Sequence, residues 1–158
     1  MERLVADKML AKLSRWLRLC GVSVQGAPYA DDLKIIRFMK RNGGILLTMD
    51  VGLAQRSRKR AFKALLITEK TLDGQLAYVS AQLGLRIRPK MGICTVCNSK
   101  LAKVDKRSVQ GKVPLAVLKK HRTFYLCKNC GRVYWLGSHW SRIKDRIRRI
   151  GMRNRTIS

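Results

Sequence analysis

The chain has 158 residues, 46% of them hydrophobic, and 35 Lys or Arg against nine Asp or Glu give it a net charge of +26. This length suffices for one full core, or for one domain plus a small module that needs a stabilising ion or crosslink. No apolar run approaches the roughly 20 residues of a membrane span, and the N-terminal residues lack a signal-peptide core, so we expect a globular, cytoplasmic protein. The charge excess predicts a polyanionic partner. Nucleic acid is favoured over an anionic membrane surface as that partner.

The first 88 residues alternate between strand and helix patterns. The predicted strands are 4–6, 22–24, 45–48 and 64–68, and helical spacing predicts helices that start at Lys8, at Asp31 as N-cap, near Val51 and near Leu72. Strand 45–48 contains three consecutive aliphatic residues, which is typical of a strand buried on both faces. The alternation therefore predicts a parallel α/β sheet with right-handed crossovers.

The first predicted helix has two contrasting sides. Its apolar residues share one side, and the basic residues at positions 8, 12, 15 and 18 share the opposite one. We interpret the apolar stripe as core. The basic stripe is either a solvated face or one flank of a phosphate-binding surface.

Composition changes near residue 90, where four of the five cysteines and half of the aromatic residues follow. Cys94 and Cys97 form one C-x-x-C pair, and Cys127 and Cys130 form a second. Four thiolates in two such pairs predict a structural tetrahedral zinc site in a small ribbon. Part of the long spacer between the pairs, as a helix at 114–120, should lie outside the ribbon itself. Disulfides are the alternative, disfavoured without a secretion signal. Cys20 is interpreted as a buried core thiol.

The region after the second cysteine pair is aromatic and basic. Trp140, Ile143, Ile147 and Ile150 form a helical stripe flanked by arginines and lysines. This closing helix either faces RNA or is solvated. The two histidines, at positions 121 and 139, are not needed as zinc ligands, and we interpret them as surface or RNA-facing residues.

Acidic residues are rare, so their positions are informative. Asp7, Asp50 and Glu69 each follow a predicted parallel strand, and Asp31 and Asp32 open a helix at the same edge of the sheet. Carboxylates gathered in a basic protein repel one another unless a divalent cation lies between them. Oxygen ligands suit Mg²⁺ or Mn²⁺, which can activate water for phosphodiester cleavage. Helix capping is the competing explanation for Asp7, Asp31 and Asp50.

Several motifs taken together resemble one known family. They are residues 5–10, 15–18, 30–32, 45–50 with 52–54, the two cysteine pairs, and 131–135 running into 137–140. The chain resembles the PIN-like ribonuclease family named after the C-terminal domain of the Mut-seven exonuclease, over nearly its whole length to about residue 142. The resemblance implies a PIN-like three-layer α/β/α domain with a central parallel sheet followed by a small zinc ribbon, a Mg²⁺- or Mn²⁺-dependent nuclease site, and RNA as substrate.

The resemblance also implies roles for individual residues. Asp7 matches the acid after the first strand, and Thr48 with Asp50 matches the Ser/Thr-x-Asp strand end. Asp31 or Asp32 matches the helix-borne acid. Two residues are candidates for the fourth acid that PIN enzymes often add, namely Glu69 and Asp73.

The leading hypothesis is a metal-dependent ribonuclease with domain limits of 1–90 for the nuclease domain, 91–140 for the ribbon and 141–158 for a basic C-terminal helix and tail. Asp7 and Asp50 would bind Mg²⁺ or Mn²⁺. The predicted RNA-binding residues are Lys8, Lys12, Arg15, Arg56, Arg58, His139 and Arg142. The runner-up is a non-catalytic RNA-binding protein associated with ribosomal RNA or ribosomes. A toxin-type nuclease ranks third, and the sequence leaves open whether two chains pair.

Overall fold

The computed structural model describes residues 2–27 and 31–155, with backbone alone for 152–155. The predicted loop that includes Pro28, and the last three residues of the predicted tail, lie outside the described residues. Within the described part, the strands β1 (Leu4–Ala6), β2 (Val24–Gly26), β3 (Ile45–Thr48) and β4 (Lys63–Leu66) form a parallel sheet in the order β2-β1-β3-β4. The predicted four-stranded parallel sheet is confirmed.

Helices cover both faces of this sheet. They are α1 (Ala11–Leu19), α2 (Asp32–Asn42), α3 (Val51–Lys59), α4 (Leu72–Gln82) and, from the end of the chain, α6 (His139–Arg155). Leu4 and Leu47 point to one face, where they join a core with α1, α4 and α6. Val5 and Leu46 point to the other face and pack against α2 and α3. This period-two alternation between two apolar layers produces the predicted three-layer α/β/α arrangement.

The bounds predicted from the sequence are imprecise for two strands and for the start of one helix. The predicted strand 22–24 begins only at Val24, because Val22 still donates its N–H to the carbonyl of Leu17 in the turn that ends α1. The predicted strand 64–68 ends at Leu66, which pairs with the last residue of β3. The first helix starts as a 3₁₀ turn, Lys8–Leu10, before α1 begins.

The ribbon consists of a separate antiparallel sheet. Its strands are β5 (Leu101–Asp105), β6 (Thr123–Cys127) and β7 (Val133–Tyr134), in sequential order. A 3₁₀ turn, Arg107–Val109, and the helix α5 (Leu115–Lys120) lie between β5 and β6. The prediction that the long spacer between cysteine pairs contains a helix at 114–120 is confirmed.

The closing helix α6 returns to the first domain. Ile147 and Ile150 are almost completely buried in the core layer that also contains Leu13 of α1 and Leu76 of α4. The apolar stripe of the predicted closing helix is therefore core. In the part of the chain that the structure describes, no helix is both long enough and apolar enough to cross a membrane.

Gly44 allows the chain to enter β3 directly against β1, which yields a first prediction. Its φ is +103°, and an added Cβ would overlap the carbonyl of Arg3, which accepts the N–H of Ile45 at 2.8 Å. Gly44→Ala is expected to lower the free energy of unfolding by at least about 1–3 kcal/mol, the scale of backbone strain alone. Urea unfolding measures this change.

Gly43→Ala is the matched control. Gly43 also has a positive φ, of 63°, but no atom lies within 4 Å of an added Cβ. Because only Gly44 faces the Arg3 carbonyl, Gly44→Ala should lower the free energy of unfolding clearly more than Gly43→Ala does, and equal losses would contradict a role for this overlap.

Candidate functional site

Asp7 and Thr48 form a buried polar pair at the carboxyl edge of the sheet. Asp7 follows β1 directly and is only 7% exposed, while Thr48 at the end of β3 is fully buried. The Thr48 hydroxyl donates to Oδ2 of Asp7, and the Met49 N–H donates to the same oxygen at 3.3 Å. Oδ1 accepts the N–H of Leu10 at 3.2 Å, so Asp7 also caps the 3₁₀ turn. Because three donors contact it, this carboxylate has a fixed orientation.

Thr48 also links Asp7 to Asp50. The N–H of Asp50 donates to the Thr48 hydroxyl oxygen at 3.0 Å. Oδ1 of Asp50 accepts the N–H of Leu53 at 2.8 Å, which makes Asp50 the N-cap of α3. The side chain of Asp50 is nevertheless exposed. One threonine thus places a buried and an exposed aspartate next to each other.

This group lies where the sheet topology reverses. From β1 the chain continues to β2 on one side, and from β3 it continues to β4 on the other. The helices that follow these two central strands, α1 and α3, pack on opposite faces of the sheet. Open α/β sheets bind ligands in the crevice at such a switch point, outside the carboxyl ends of the strands. The pair Asp7 and Asp50 stands at this position.

Asp31 and Asp32 make different contacts. Asp31 is the N-cap of α2 and accepts the N–H of Lys34 at 2.9 Å. Asp32 forms an ion pair with Arg56 of α3. A Cβ added to Gly52 would lie 3.0 Å from a guanidinium nitrogen of Arg56 and 3.2 Å from Oδ1 of Asp50, so Arg56 also lies close to Asp50. Arg56 therefore connects the start of α2 with the switch point.

The two candidates for a fourth acid lie at the start of α4. Asp73 accepts Nε of Arg146 at 2.7 Å, and this ion pair fastens α6 to α4. Glu69 lies three residues beyond β4 and does not follow the strand directly, because the β3–β4 ladder ends at Leu66. Its carboxylate lies over the first turn of α4, within 2.7 Å of where a Cβ on Gly74 would be. Their role as a fourth acid stays a prediction.

The four predicted zinc ligands form a compact cluster. The sulfur atoms of Cys94 and Cys130 are 3.6 Å apart and those of Cys97 and Cys127 are 3.4 Å apart, and all four lie within 4.8 Å of one another. A tetrahedral zinc ion with Zn–S bonds of about 2.3 Å separates its sulfurs by about 3.8 Å. These distances fit one zinc ion and are far from the ~2.05 Å of a disulfide. The four cysteines could therefore bind one zinc ion.

The family model described as the Mut7-C RNAse domain matches residues 2–147. The chain belongs to the Mut7-C family. This confirms the resemblance drawn from the sequence, and it gives the chain a ribonuclease-type function with RNA as the implied substrate. No curated protein and no solved structure matched the chain significantly.

The thiols of the Mut7-C ribbon differ in their readiness to ionise. Hydrogen bonds from the Ser99 side chain and main chain lower the pKa of Cys97 to about 5. Burial raises the pKa of Cys127 to about 12. A zinc ion bound here would hold all four sulfurs as thiolates, so zinc binding would release the protons that the free thiols carry. Cys20, away from the cluster, is buried with a pKa raised to about 12, as expected of an unreactive core thiol.

The first cysteine pair is docked on the sheet domain by hydrogen bonds that the sequence did not reveal. Arg18 of α1 is only 6% exposed and donates to the carbonyls of Thr95 and Val96 at 3.0 and 2.9 Å. Its Nε donates to the carbonyl of Val24 in β2 at 2.8 Å. Asn98 accepts the N–H of the same valine at 3.0 Å. The residues around Cys94 and Cys97 are thus fastened to the edge strand β2.

The expectation that Arg18 belongs to the exposed basic stripe was wrong. Around the helix it falls between buried Ser14 and exposed Arg15, so it lies at the border of the two faces. A charged residue at such a border was the available signal, but two of its three carbonyl partners, Thr95 and Val96, come from the ribbon, which is distant in sequence.

The seven predicted RNA-binding residues of this Mut7-C chain lie on the surface. Lys8, Lys12 and Arg15 are exposed along one side of the first helix, and His139 and Arg142 are exposed at the start of α6. Arg58 donates to the carbonyl of Ala64 at 3.0 Å. In the described ranges, the cysteines are the only group of three or more Cys, His, Asp or Glu side chains with all ligand atoms within 4.8 Å. The carboxylates are not gathered to that degree.

Proposed function

We propose that this Mut7-C chain is a Mg²⁺- or Mn²⁺-dependent ribonuclease that hydrolyses phosphodiester bonds of RNA at the switch point. The observation that supports it is the Asp7–Thr48–Asp50 group at the carboxyl ends of β1 and β3. Two acids are brought together by a buried hydroxyl where an α/β sheet offers a crevice. In this proposal the zinc ribbon, residues 91–140, and the basic segment 141–158 aid RNA binding.

The donor set fits a hard divalent cation. The acids at the switch point supply only oxygen, without a Cys or His side chain, and Mg²⁺ is usually bound by one or two carboxylates while it keeps several waters. Asp7 and Asp50 would hold the ion, and Asp31 or Asp32, which are not gathered with them into one cluster, would contact it through the waters that it keeps. Such an ion, when bound, lowers the pKa of a coordinated water and stabilises the leaving oxygen.

The residues of the chain itself would position the substrate. Thr48 fixes the orientation of the Asp7 carboxylate and of the Asp50 main chain. Lys8 is exposed immediately after Asp7, where it can contact a phosphate of the RNA. Arg56 pairs with Asp32 and lies near Asp50, so a phosphate bound there would compete for the same guanidinium.

Asp50→Asn tests the proposed site. An asparagine keeps the oxygen that caps α3 but removes the negative charge, so the fold should persist while the rate of Mn²⁺-dependent RNA cleavage falls at least about 100-fold. Initial rates on labelled single-stranded and structured RNA measure the loss, and the melting temperature checks the fold. Asp145→Asn is the matched control, because Asp145 is exposed on α6 with only a 3.9 Å pair to Arg148. Unchanged cleavage by Asp50→Asn and by Asp7→Asn would show that the site is elsewhere.

A non-catalytic RNA-binding protein, associated with ribosomal RNA or ribosomes, is the second candidate. It is favoured by the structural roles of the acids, since Asp7, Asp31 and Asp50 each cap a helix or 3₁₀ turn and Asp32 is in an ion pair. Titration calorimetry with Mn²⁺ separates the two functions. Binding that Asp50→Asn abolishes supports the nuclease, whereas RNA binding without any affinity for Mn²⁺ supports the second candidate.

A further inference from the structure

An aromatic cavity of about 360 Å³ lies where three parts of the chain meet. These parts are the second half of α1, the ribbon around Tyr134 and the first turn of α6. All three tryptophans of the chain line it, namely Trp16, Trp135 and Trp140. The volume is near the lower end of small-ligand pockets, which span about 300–1,000 Å³.

Neighbouring side chains hold two of the aromatic walls in place, Tyr134 and Trp16. The Tyr134 hydroxyl lies 3.2 Å from the Cys94 sulfur and 3.3 Å from the Thr95 hydroxyl, so the first cysteine pair fixes this ring. The guanidinium of Arg146 lies 4.8 Å from the centre of the Trp16 ring. Rings that are fixed before a ligand arrives lose little entropy on binding, which favours stacking of a flat ligand.

A row of basic side chains runs along the first helix from the Asp7–Thr48–Asp50 group to this cavity. Lys8 follows Asp7 directly, and Lys12 and Arg15 are exposed on the same side of the first helix. Arg15 also lines the cavity. With a rise of about 2.0 Å per residue in the 3₁₀ turn and about 1.5 Å in α1, Lys8 and Arg15 lie roughly 12 Å apart along the helix. The row therefore offers positive charge to successive phosphates of one strand that passes from the cavity to the switch point.

We propose that the cavity binds one unpaired nucleobase of an RNA whose phosphates follow Lys8, Lys12 and Arg15. Proteins that hold single-stranded nucleic acid combine aromatic platforms with a basic groove in this way. A paired base cannot enter, so the cavity selects single-stranded or looped RNA. The inference rests on the proposed function for the choice of RNA, and it does not require cleavage.

Tryptophan fluorescence reports directly on occupancy, because all three tryptophans line the cavity. In buffer without Mg²⁺ or Mn²⁺, the zinc-loaded full chain is titrated with a short single-stranded RNA, with the same strand carrying central abasic sites, and with its blunt duplex. The intact strand should quench the emission and bind about tenfold more tightly than the abasic strand. The duplex should bind without quenching.

Trp135→Ala tests the site itself. Trp135 is half-buried in the segment after β7. Its loss should weaken binding of the intact strand about tenfold and leave the affinity for the abasic strand unchanged. Trp135→Phe should restore most of the affinity for the intact strand. Leu136→Ala is the matched control, since Leu136 is the next residue, 45% exposed, and does not line the cavity.

Three outcomes would overturn the inference. Equal affinity for intact and abasic strands excludes a base in the cavity, and so does an equal effect of Trp135→Ala on both strands. Tryptophan emission that changes with protein concentration as a dimer forms would assign the cavity to a second copy of the chain. If binding depends on the base but no metal ion supports cleavage, the proposed nuclease is rejected and base binding in the cavity stands. If RNA is cleaved but binding does not depend on the base, only base binding in the cavity is rejected.

Discussion

Cys94→Ser is expected to lower the melting temperature of the whole chain by roughly 10–20 °C, the shift that a loss of about 5 kcal/mol produces in a protein of this size. Cys94 is fully buried in the cluster, and its sulfur lies 3.6 Å from the Cys130 sulfur and 3.2 Å from the Tyr134 hydroxyl. Structural zinc contributes about 10–16 kcal/mol of apparent binding free energy in small zinc-finger peptides, so losing one of four ligands is costly. Thermal melts followed by circular dichroism measure the shift.

The effect should extend beyond the ribbon. The chain around Cys94 and Cys97 is bonded to β2 through Arg18 and Asn98, so a released zinc site frees one edge of the parallel sheet. Hydrogen exchange should therefore accelerate at the Val24 amide, which donates to Asn98. If exchange rises in the ribbon alone, the two sheets are not coupled in this way.

Zinc stoichiometry supplies the control for this prediction. Elemental analysis should find one zinc per chain in the native protein and in Cys20→Ala, which removes the thiol that lies outside the cluster. Cys94→Ser should retain clearly less. Absence of zinc from the native protein, or an unchanged melting temperature in Cys94→Ser, would contradict the structural role of the ion.

The parts of the fold that the sequence predicts best carry their signals locally. The strand 45–48 is a run of aliphatic residues between the Gly43–Gly44 turn and the Asp50 cap, and its bounds are confirmed to the residue. The caps at Asp31 and Asp50 are equally local. In contrast, β2 is placed by its register with β1, where Val24 pairs with Leu4, and a single-strand pattern does not contain that information.

For the Asp7–Thr48–Asp50 group, the sequence could not distinguish a helix cap from a metal ligand. Aspartate at the start of a helix after a strand is both a good N-cap and a good metal ligand, so one pattern predicts both. Asp7 and Asp50 make capping contacts and still meet through Thr48, so the structure has both features at once. The contact between Arg56 and Asp32, 24 positions apart, depends on how α2 and α3 pack and has no local signal.

Arg18→Met is expected to lower the free energy of unfolding by at least about 3 kcal/mol, because three carbonyls each lose their donor at a cost of about 1–3 kcal/mol. Burial lowers the pKa of Arg18, while the nearby Cys94 and Cys97 sulfurs favour its charged form. Methionine fills similar space but leaves the carbonyls of Val24, Thr95 and Val96 without their donor. Urea unfolding at saturating zinc measures the loss.

Two further variants identify the cause of that loss. Arg18→Lys keeps the charge but lacks the planar fork that reaches carbonyls on both β2 and the ribbon, so it should recover only part of the stability. Arg15 lies about one helical turn before Arg18, on the exposed side of α1. Arg15→Met should therefore change the unfolding free energy by less than about 0.5 kcal/mol. Because Arg18 bonds to β2 and to the turn between Cys94 and Cys97, we expect one unfolding transition in the native protein and two in Arg18→Met, with the ribbon and the parallel sheet melting independently. A single transition with the native midpoint in Arg18→Met would mean that the packing of Ile147 and Ile150 against α1 and α4, and not this arginine, holds the two parts of the molecule together.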